Sequence, residues 1–93
     1  MGRRCFDHLV AEISVRAGQP VSRWALWLRL RELGSDPEQL SRAEAVAFCD
    51  VALPRFLREH RIFVSARDLR RLRKTIARLD PTRPTPEERF AEG

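Results

Sequence analysis

Apolar positions recur every three or four residues through most of the chain, which is the spacing of helices with one buried face. The pattern predicts helices near residues 3–17, 21–33, 41–60 and 65–79. The short apolar run at 62–64 has no partner strand, so we expect it to lie beneath the helices. Fold class is therefore predicted as all-α, a compact four-helix domain over 1–80 with a Pro-rich extended tail at 81–93.

Residues at the helix ends support these boundaries. Gly18 and Gly34 follow the first two helices, where glycine accepts a left-handed C-terminal conformation. Ser41 and Glu44 have the spacing of a capping box at the start of the third helix. Pro54 lies inside the third helix and predicts a kink or a break, because it lacks a backbone donor and crowds the preceding turn.

The predicted core is the apolar stripe of each helix. Its members are Phe6, Leu9, Val10, Ile13, Leu26, Trp27, Leu30, Leu33, Val46, Cys49, Leu53, Phe56, Leu57, Leu69, Leu72, Ile76 and Leu79. The second helix is apolar around more than half of its circumference. Such a helix either lies at the centre of a bundle, the simpler interpretation, or leaves a patch for a partner.

Charge is distributed unevenly along this pattern. The chain has 18 Lys and Arg against 13 Asp and Glu, a formal net charge of +5. The segment 65–79 contains six cations and one anion, which leaves 12 residues of each sign elsewhere. The whole net charge therefore belongs to the last helix.

Helical geometry separates this last helix into two faces. Leu69, Leu72, Ile76 and Leu79 form one narrow arc, the apolar seam. Arg67, Arg71, Lys74 and Arg78 form the opposite side, the cationic stripe, with Arg70 and Arg73 beside it. Like charges four residues apart destabilise an isolated helix. Either acids of the other helices neutralise the stripe, or it binds an anion; a solvated surface helix of an arginine-rich protein is the simpler interpretation.

Arginine favours phosphate as that anion, because its planar guanidinium donates paired hydrogen bonds and stays charged. The last helix has no Asn or Gln for paired contacts with adenine, so contact with phosphates is expected rather than base recognition. The predicted anion-binding residues are Arg67, Arg70, Arg71, Lys74 and Arg78, with a nucleic-acid backbone favoured over an acidic protein surface. A helix-turn-helix is weakly matched, since the connector 61–65 lacks glycine and is mostly apolar.

A second hypothesis is a protein–protein adaptor or regulator. Trp24 and Trp27 are candidate anchors on the second helix, because tryptophan and arginine are enriched at the energetic centres of interfaces. Phe90, after the prolines of the tail, is a further candidate that would dock in a groove. The partner under this hypothesis is another protein or a second copy of the chain.

A metal-dependent enzyme is a third hypothesis. Cys5, His8 and Glu12 share one helical face, and Cys49 or His60 would have to complete a zinc site. Zinc sites usually have paired ligands in both halves, so a core cysteine beside a surface histidine is the favoured interpretation. Neither a glycine-rich phosphate loop nor a nucleophile–base pair is suggested, so we expect no cofactor, no metal and no enzymatic activity.

The cellular setting follows from two features of the sequence. Two cysteines within helical segments are typical of reduced thiols in a cytoplasmic protein rather than of a disulfide scaffold. No stretch approaches the ~20 apolar residues of a membrane helix, and no apolar run follows the N-terminal arginines as in a signal peptide. We therefore expect no membrane partner.

Overall fold

The computed structural model describes residues 3–79, and this part of the chain is all-α. Its helices are α1 (Arg3–Ala17), α2 (Arg23–Glu32), α3 (Arg42–Val51), α4 (Leu53–Glu59) and α5 (Ala66–Ala77), with a 3₁₀ turn at Pro37–Gln39 between α2 and α3. The predictions for the tail at 81–93, Phe90 included, lie outside the described residues. None of the described helices is long and apolar enough to cross a bilayer.

Three of the helices, α1, α3 and α5, pack against one another and enclose most of the core. The 3₁₀ turn packs on α1 and α2, and α4 packs on α3. Side chains of α2 contact both α1 and α4, and Leu26 and Leu30 are buried in the core. Trp27 meets the edge of Phe6 on α1 with ring centroids 5.4 Å apart, and Arg29 forms an ion pair with Glu59 at the end of α4.

The segment expected as one helix over residues 41–60 forms two. Helix α3 ends at Val51, and Pro54 occupies the first turn of α4, where a missing backbone donor removes no helical hydrogen bond. The chain stays nearly helical through Ala52, whose N–H donates to Phe48 and whose carbonyl accepts from Phe56. Of the two outcomes predicted for Pro54, the break is the correct one, so the described part has five α-helices rather than four.

A capping box begins α3 as the sequence predicts. The Ser41 hydroxyl accepts from the Glu44 N–H at 3.1 Å, and the Glu44 carboxylate accepts from the Ser41 N–H at 3.1 Å. The hydrogen bond from the Ser41 N–H lowers the pKa of the Glu44 carboxyl group, and the Ser41 side chain lowers it further. Gly18 and Gly34 have φ of 70° and 89°, so both helix ends use the left-handed conformation that glycine tolerates.

Most of the predicted core is buried, and the differences occur at the ends and faces of helices. Leu33 is 52% exposed, which contradicts its core assignment, because it is the C-terminal cap of α2 and the chain turns away there. Trp27, Val46 and Leu69 are only half-buried at the margin of the core. Phe48, absent from the prediction, is 3% exposed. The buried stripe of α3 is Ala45, Phe48, Cys49 and Ala52, rotated from the predicted one.

Candidate anion-binding surface

Helix α5 is held in place by its cap and its apolar seam. The Ser65 hydroxyl accepts from the Asp68 N–H at 3.1 Å and starts the helix. Leu72, Ile76 and Leu79 are buried against the core, and Leu69 packs beside them. Because the seam faces α1 and α3, the rotation of α5 about its axis is fixed, and its opposite side faces solvent.

The cationic stripe lies on that solvent side. Arg67, Arg71, Lys74 and Arg78 are all exposed, and so is the flanking Arg70. At 1.5 Å per residue, the stripe extends about 16 Å along the helix. The structure thus brings all five predicted anion-binding residues onto one exposed helical surface.

The flanking Arg73 differs from these five residues because it has an acidic partner. Its Nε donates to Asp50 Oδ1 on α3 at 2.6 Å, and this hydrogen bond raises the pKa of the guanidinium. Within residues 3–79, no carboxylate oxygen lies within 4.0 Å of the five predicted binding residues. Other described acids, namely Asp7, Glu32 and Glu59, pair with arginines of α2 and α4. Acids of the described helices therefore leave the stripe without a direct ionic partner.

Neutral hydrogen-bonding groups are scarce on the same surface. The Thr75 hydroxyl donates to the Arg71 carbonyl at 3.0 Å, and the Ser65 hydroxyl is engaged in the helix cap. No Asn or Gln occurs in the segment 65–79. The surface consequently offers charged donors for oxyanions and little means of distinguishing one base edge from another.

The connector before α5 departs from its prediction. Ile62 and Val64 are half-buried against the core, but Phe63 between them is 87% exposed, so the apolar run is not covered as a whole. Alternation of an extended chain explains the difference, because successive side chains point to opposite sides. The sequence pattern did not indicate Phe63 as a candidate, although its position between two packing residues is a signal for outward orientation.

Two further arginines border this connector. Arg58 and Arg61 are exposed, and the described part of the chain places no carboxylate within 4.0 Å of either. Arg61 has φ of 56°, the left-handed conformation in which a residue with a Cβ costs about 1 kcal/mol. The conformation closes α4, since the next N–H, that of Ile62, donates to the Leu57 carbonyl at 2.9 Å. Glycine is the usual residue at such a position.

The second helix presents a separate surface. Trp24 is 67% exposed and Leu28, one turn later, is 42% exposed, so α2 is not enclosed as the central-helix interpretation expected. Trp27 is half-buried against Phe6. A surface groove of about 320 Å³ lies between Phe6, Arg23 and the two tryptophans. Of the predicted partner anchors, Trp24 is therefore accessible and Trp27 is mostly engaged.

The candidate metal ligands are dispersed. Cys5 and Cys49 are buried free thiols, and burial raises the pKa of both, that of Cys49 to about 12. His60 packs on the Phe56 ring at 4.4 Å, and His8, expected at the surface, is buried. Among residues 3–79, no three His, Cys, Asp or Glu side chains are grouped to hold a metal ion.

Comparisons with models of protein families, with curated proteins and with solved structures find no match. Function is therefore inferred from the two exposed surfaces, the cationic stripe of α5 and the Trp24 surface of α2.

Proposed function

We propose that this protein is a non-enzymatic binding module whose basic helix α5 contacts an anionic macromolecule, with the phosphate backbone of nucleic acid as the favoured ligand. The main support for this proposal is that the cationic stripe of α5 has no acidic partner among the described residues. Five of the six cations in the segment 65–79 are exposed, with no carboxylate of the described residues within 4.0 Å.

The arrangement is unfavourable for the isolated protein, which supports a role in binding. Arg67 and Arg71, Arg70 and Lys74, and Lys74 and Arg78 are like-charged pairs four residues apart. Each such pair costs a few tenths of a kcal/mol. A surface that serves only solubility usually interleaves both signs. A bound polyanion would relieve this repulsion.

The length of the cationic stripe and the spacing of its charges favour phosphates over protein carboxylates as the ligand. A stripe of about 16 Å with cations on successive turns suits a ligand whose charges also repeat along a line. Guanidinium groups donate paired hydrogen bonds to phosphate oxygens. Recognition of sequence is not expected, because the available neutral hydroxyls of α5 and its cap are already hydrogen-bonded within the protein.

Charge reversal on the stripe tests the proposal. The double substitution Arg71→Glu with Lys74→Glu changes the net charge by four units at the centre of the stripe. We expect it to abolish retention on immobilised DNA and on heparin at a salt concentration where the unmodified chain is retained.

A matched control separates local from overall charge. Arg31→Glu with Arg55→Glu makes the same change in net charge on α2 and α4, and Glu59 keeps Arg29 as a partner. This control variant should stay on both columns. Equal retention of the two double variants would contradict a role for α5, and circular dichroism of each variant would establish that the helices are intact.

A protein-binding surface on α2 is a second candidate function, favoured by the 67% exposure of Trp24. Trp24 and Leu28 lie one turn apart and form an apolar strip that the described core does not use. Large aromatic side chains are frequent anchors of interfaces. The partner would be another protein or a second copy of the chain.

Sedimentation equilibrium tests the self-association form of this candidate. If α2 joins two copies, the chain sediments as a dimer and Trp24→Ser yields a monomer. A monomer at all accessible concentrations would contradict the dimer and leave only a heterologous protein partner. Leu33→Ser, which alters another exposed apolar side chain on the last turn of α2, is the control.

A further inference from the structure

We infer that Phe63 is a base-stacking residue and that the connector and α5 together bind single-stranded nucleic acid. This inference rests on the proposed function and deepens it by naming the ligand class. It starts from the most exposed large apolar side chain in the described part of the chain, Phe63, at 87% exposure.

The backbone holds Phe63 outward. Ile62 and Val64 pack against the core on either side, and the Ile62 N–H donates to the Leu57 carbonyl at 2.9 Å. Ser65 then caps α5. Since both neighbours and the following cap are fixed, Phe63 is presented on an ordered support rather than on a free loop. An aromatic ring presented in this way loses little conformational freedom when a base stacks on it.

Cations with no carboxylate of residues 3–79 within 4.0 Å flank Phe63 on both sides along the chain. Arg61 precedes it by two residues, and Arg67, the first cation of the stripe, follows it by four. Four residues span at most about 14 Å, a distance covered by about four stacked nucleotides. A strand whose base stacks on Phe63 therefore has phosphates within reach of the first turn of α5.

The conformation of Arg61 is an independent observation at the same place. Its φ of 56° lies in the left-handed region, where glycine would close α4 with less strain. Strained residues concentrate at functional sites, where the side chain is kept for its role. An arginine kept at this position adds a cation beside Phe63.

Single-stranded nucleic acid is the occupant that uses both chemistries of the surface. Proteins that bind it without sequence preference combine a basic track for the backbone with aromatic rings for the bases. Bases of an intact duplex are already stacked on one another, and carboxylates of a protein offer nothing for the ring of Phe63. The hydroxyls of Ser65 and Thr75 each already make one hydrogen bond within the protein, to the Asp68 N–H and to the Arg71 carbonyl, respectively.

Fluorescence anisotropy with a labelled oligothymidine of about 15 nucleotides tests the inference. Phe63→Ala should weaken binding about fivefold to 150-fold, the loss of stacking on one base. Phe63→Trp should bind at least as tightly as the unmodified chain, whereas Phe63→Leu should bind nearly as weakly as Phe63→Ala. Trp24→Ala is the matched control for an exposed aromatic on another surface, and it should leave the affinity unchanged.

An abasic oligonucleotide with the same number of phosphates isolates the stacking contribution. The unmodified chain should bind it more weakly than oligothymidine, and the Phe63→Ala variant should bind the two equally. Equal binding of both ligands by the unmodified chain would overturn the inference. Tighter binding to a duplex of the same length would also overturn it, as would a loss of affinity in Trp24→Ala alone.

The same assay separates this inference from the proposed function. If Arg71→Glu with Lys74→Glu strongly weakens binding while Phe63→Ala does not, α5 contacts phosphates and only the stacking role fails. If the charge reversal has no effect, the proposed function itself fails. Because Phe63 is exposed, its substitution should leave the thermal unfolding temperature unchanged, which excludes loss of folding as the cause.

Discussion

Cys49 shows how strongly position alters the chemistry of a single residue. Burial, and then the neighbouring charge of Asp50, raise the pKa of its thiol from 9.0 to about 12. A thiol with so high a pKa stays protonated at neutral pH and is a poor nucleophile and a poor metal ligand. Its place in the core therefore accounts for Cys49 without any catalytic or metal-binding role.

The shifted pKa predicts a loss of stability at alkaline pH. Above the ordinary thiol pKa of 9.0, the unfolded chain releases the Cys49 proton while the folded chain retains it until about pH 12. Unfolding is then increasingly favoured, so the free energy of unfolding is unaffected below pH 9 and falls between about pH 9 and 12. Chemical denaturation at a series of pH values measures this fall.

The composition of the chain limits the other groups that titrate at alkaline pH. It has no tyrosine and Lys74 is its only lysine, but burial also raises the pKa of Cys5, so a Cys49 variant is needed to isolate the contribution of Cys49. Cys49→Ala should show a shallower fall with pH, whatever its stability at neutral pH. The same fall in the substituted chain would show that Cys49 is not responsible.

The exposure of two aromatic residues could not be predicted from the sequence pattern. Helical spacing placed Trp24 on a broadly apolar helix, and it placed Phe63 in a short apolar run. Both residues are exposed, because spacing shows which residues share a face but not whether another element covers that face. The burial of Phe48 was not predicted for a different reason. The other residues of its buried stripe include Ala45 and Ala52, and alanine contributes little to a hydrophobic pattern.

At the scale of elements, the beginnings and ends of helices were predictable because local chemistry determines them. The Ser41 and Glu44 capping box and the left-handed Gly18 and Gly34 are all confirmed. The outcome at Pro54 was not determined locally. A kink and a break both accommodate the missing donor, so the proline alone did not distinguish them.

Repulsion between like charges on α5 should lower the stability of the folded chain. Arg70→Glu removes the repulsion between Arg70 and Lys74 and replaces it with an attraction in the favourable order, Glu before Lys. We expect the free energy of unfolding to rise by about 0.5 kcal/mol and the affinity for nucleic acid to fall. Urea denaturation and anisotropy on the same preparation measure the two effects.

The neutral substitution Arg70→Gln is the matched control, because it removes the repulsion without adding the attraction. Its stability should lie between those of the unmodified chain and Arg70→Glu. Opposed changes in stability and affinity are expected only if the charge is retained for binding. A loss of stability in Arg70→Glu would show that the stripe already has compensating partners, contrary to the proposed function.

On the scale of the whole molecule, the cationic stripe of α5 lies apart from the ion pairs that connect the other helices. Four described acids outside α5, namely Asp7, Glu32, Asp50 and Glu59, pair with arginines of α2 and α4 or with Arg73, and none of these pairs includes the stripe. Sequence arithmetic already placed the whole net charge on the last helix. It could not show whether acids of other helices covered the stripe, since that depends on how the helices pack.

Two surfaces therefore remain for partners, and they make different predictions about salt. Binding through α5 releases counterions and weakens steeply as salt rises. Binding through Trp24 and Leu28 buries apolar area and responds little to moderate salt. The salt dependence of binding thus distinguishes the two candidate functions for the same folded chain.

The most direct test of the central claim is the affinity for a short DNA duplex as a function of salt concentration, measured by anisotropy. Contacts between four cations of the stripe and phosphates predict a slope of about −3 to −4 in a plot of log affinity against log salt. The slope should become shallower by about 2 in Arg71→Glu with Lys74→Glu, which removes two of the contacts. A slope near zero, or the same slope in that variant, would contradict the claim that the cationic stripe binds nucleic acid.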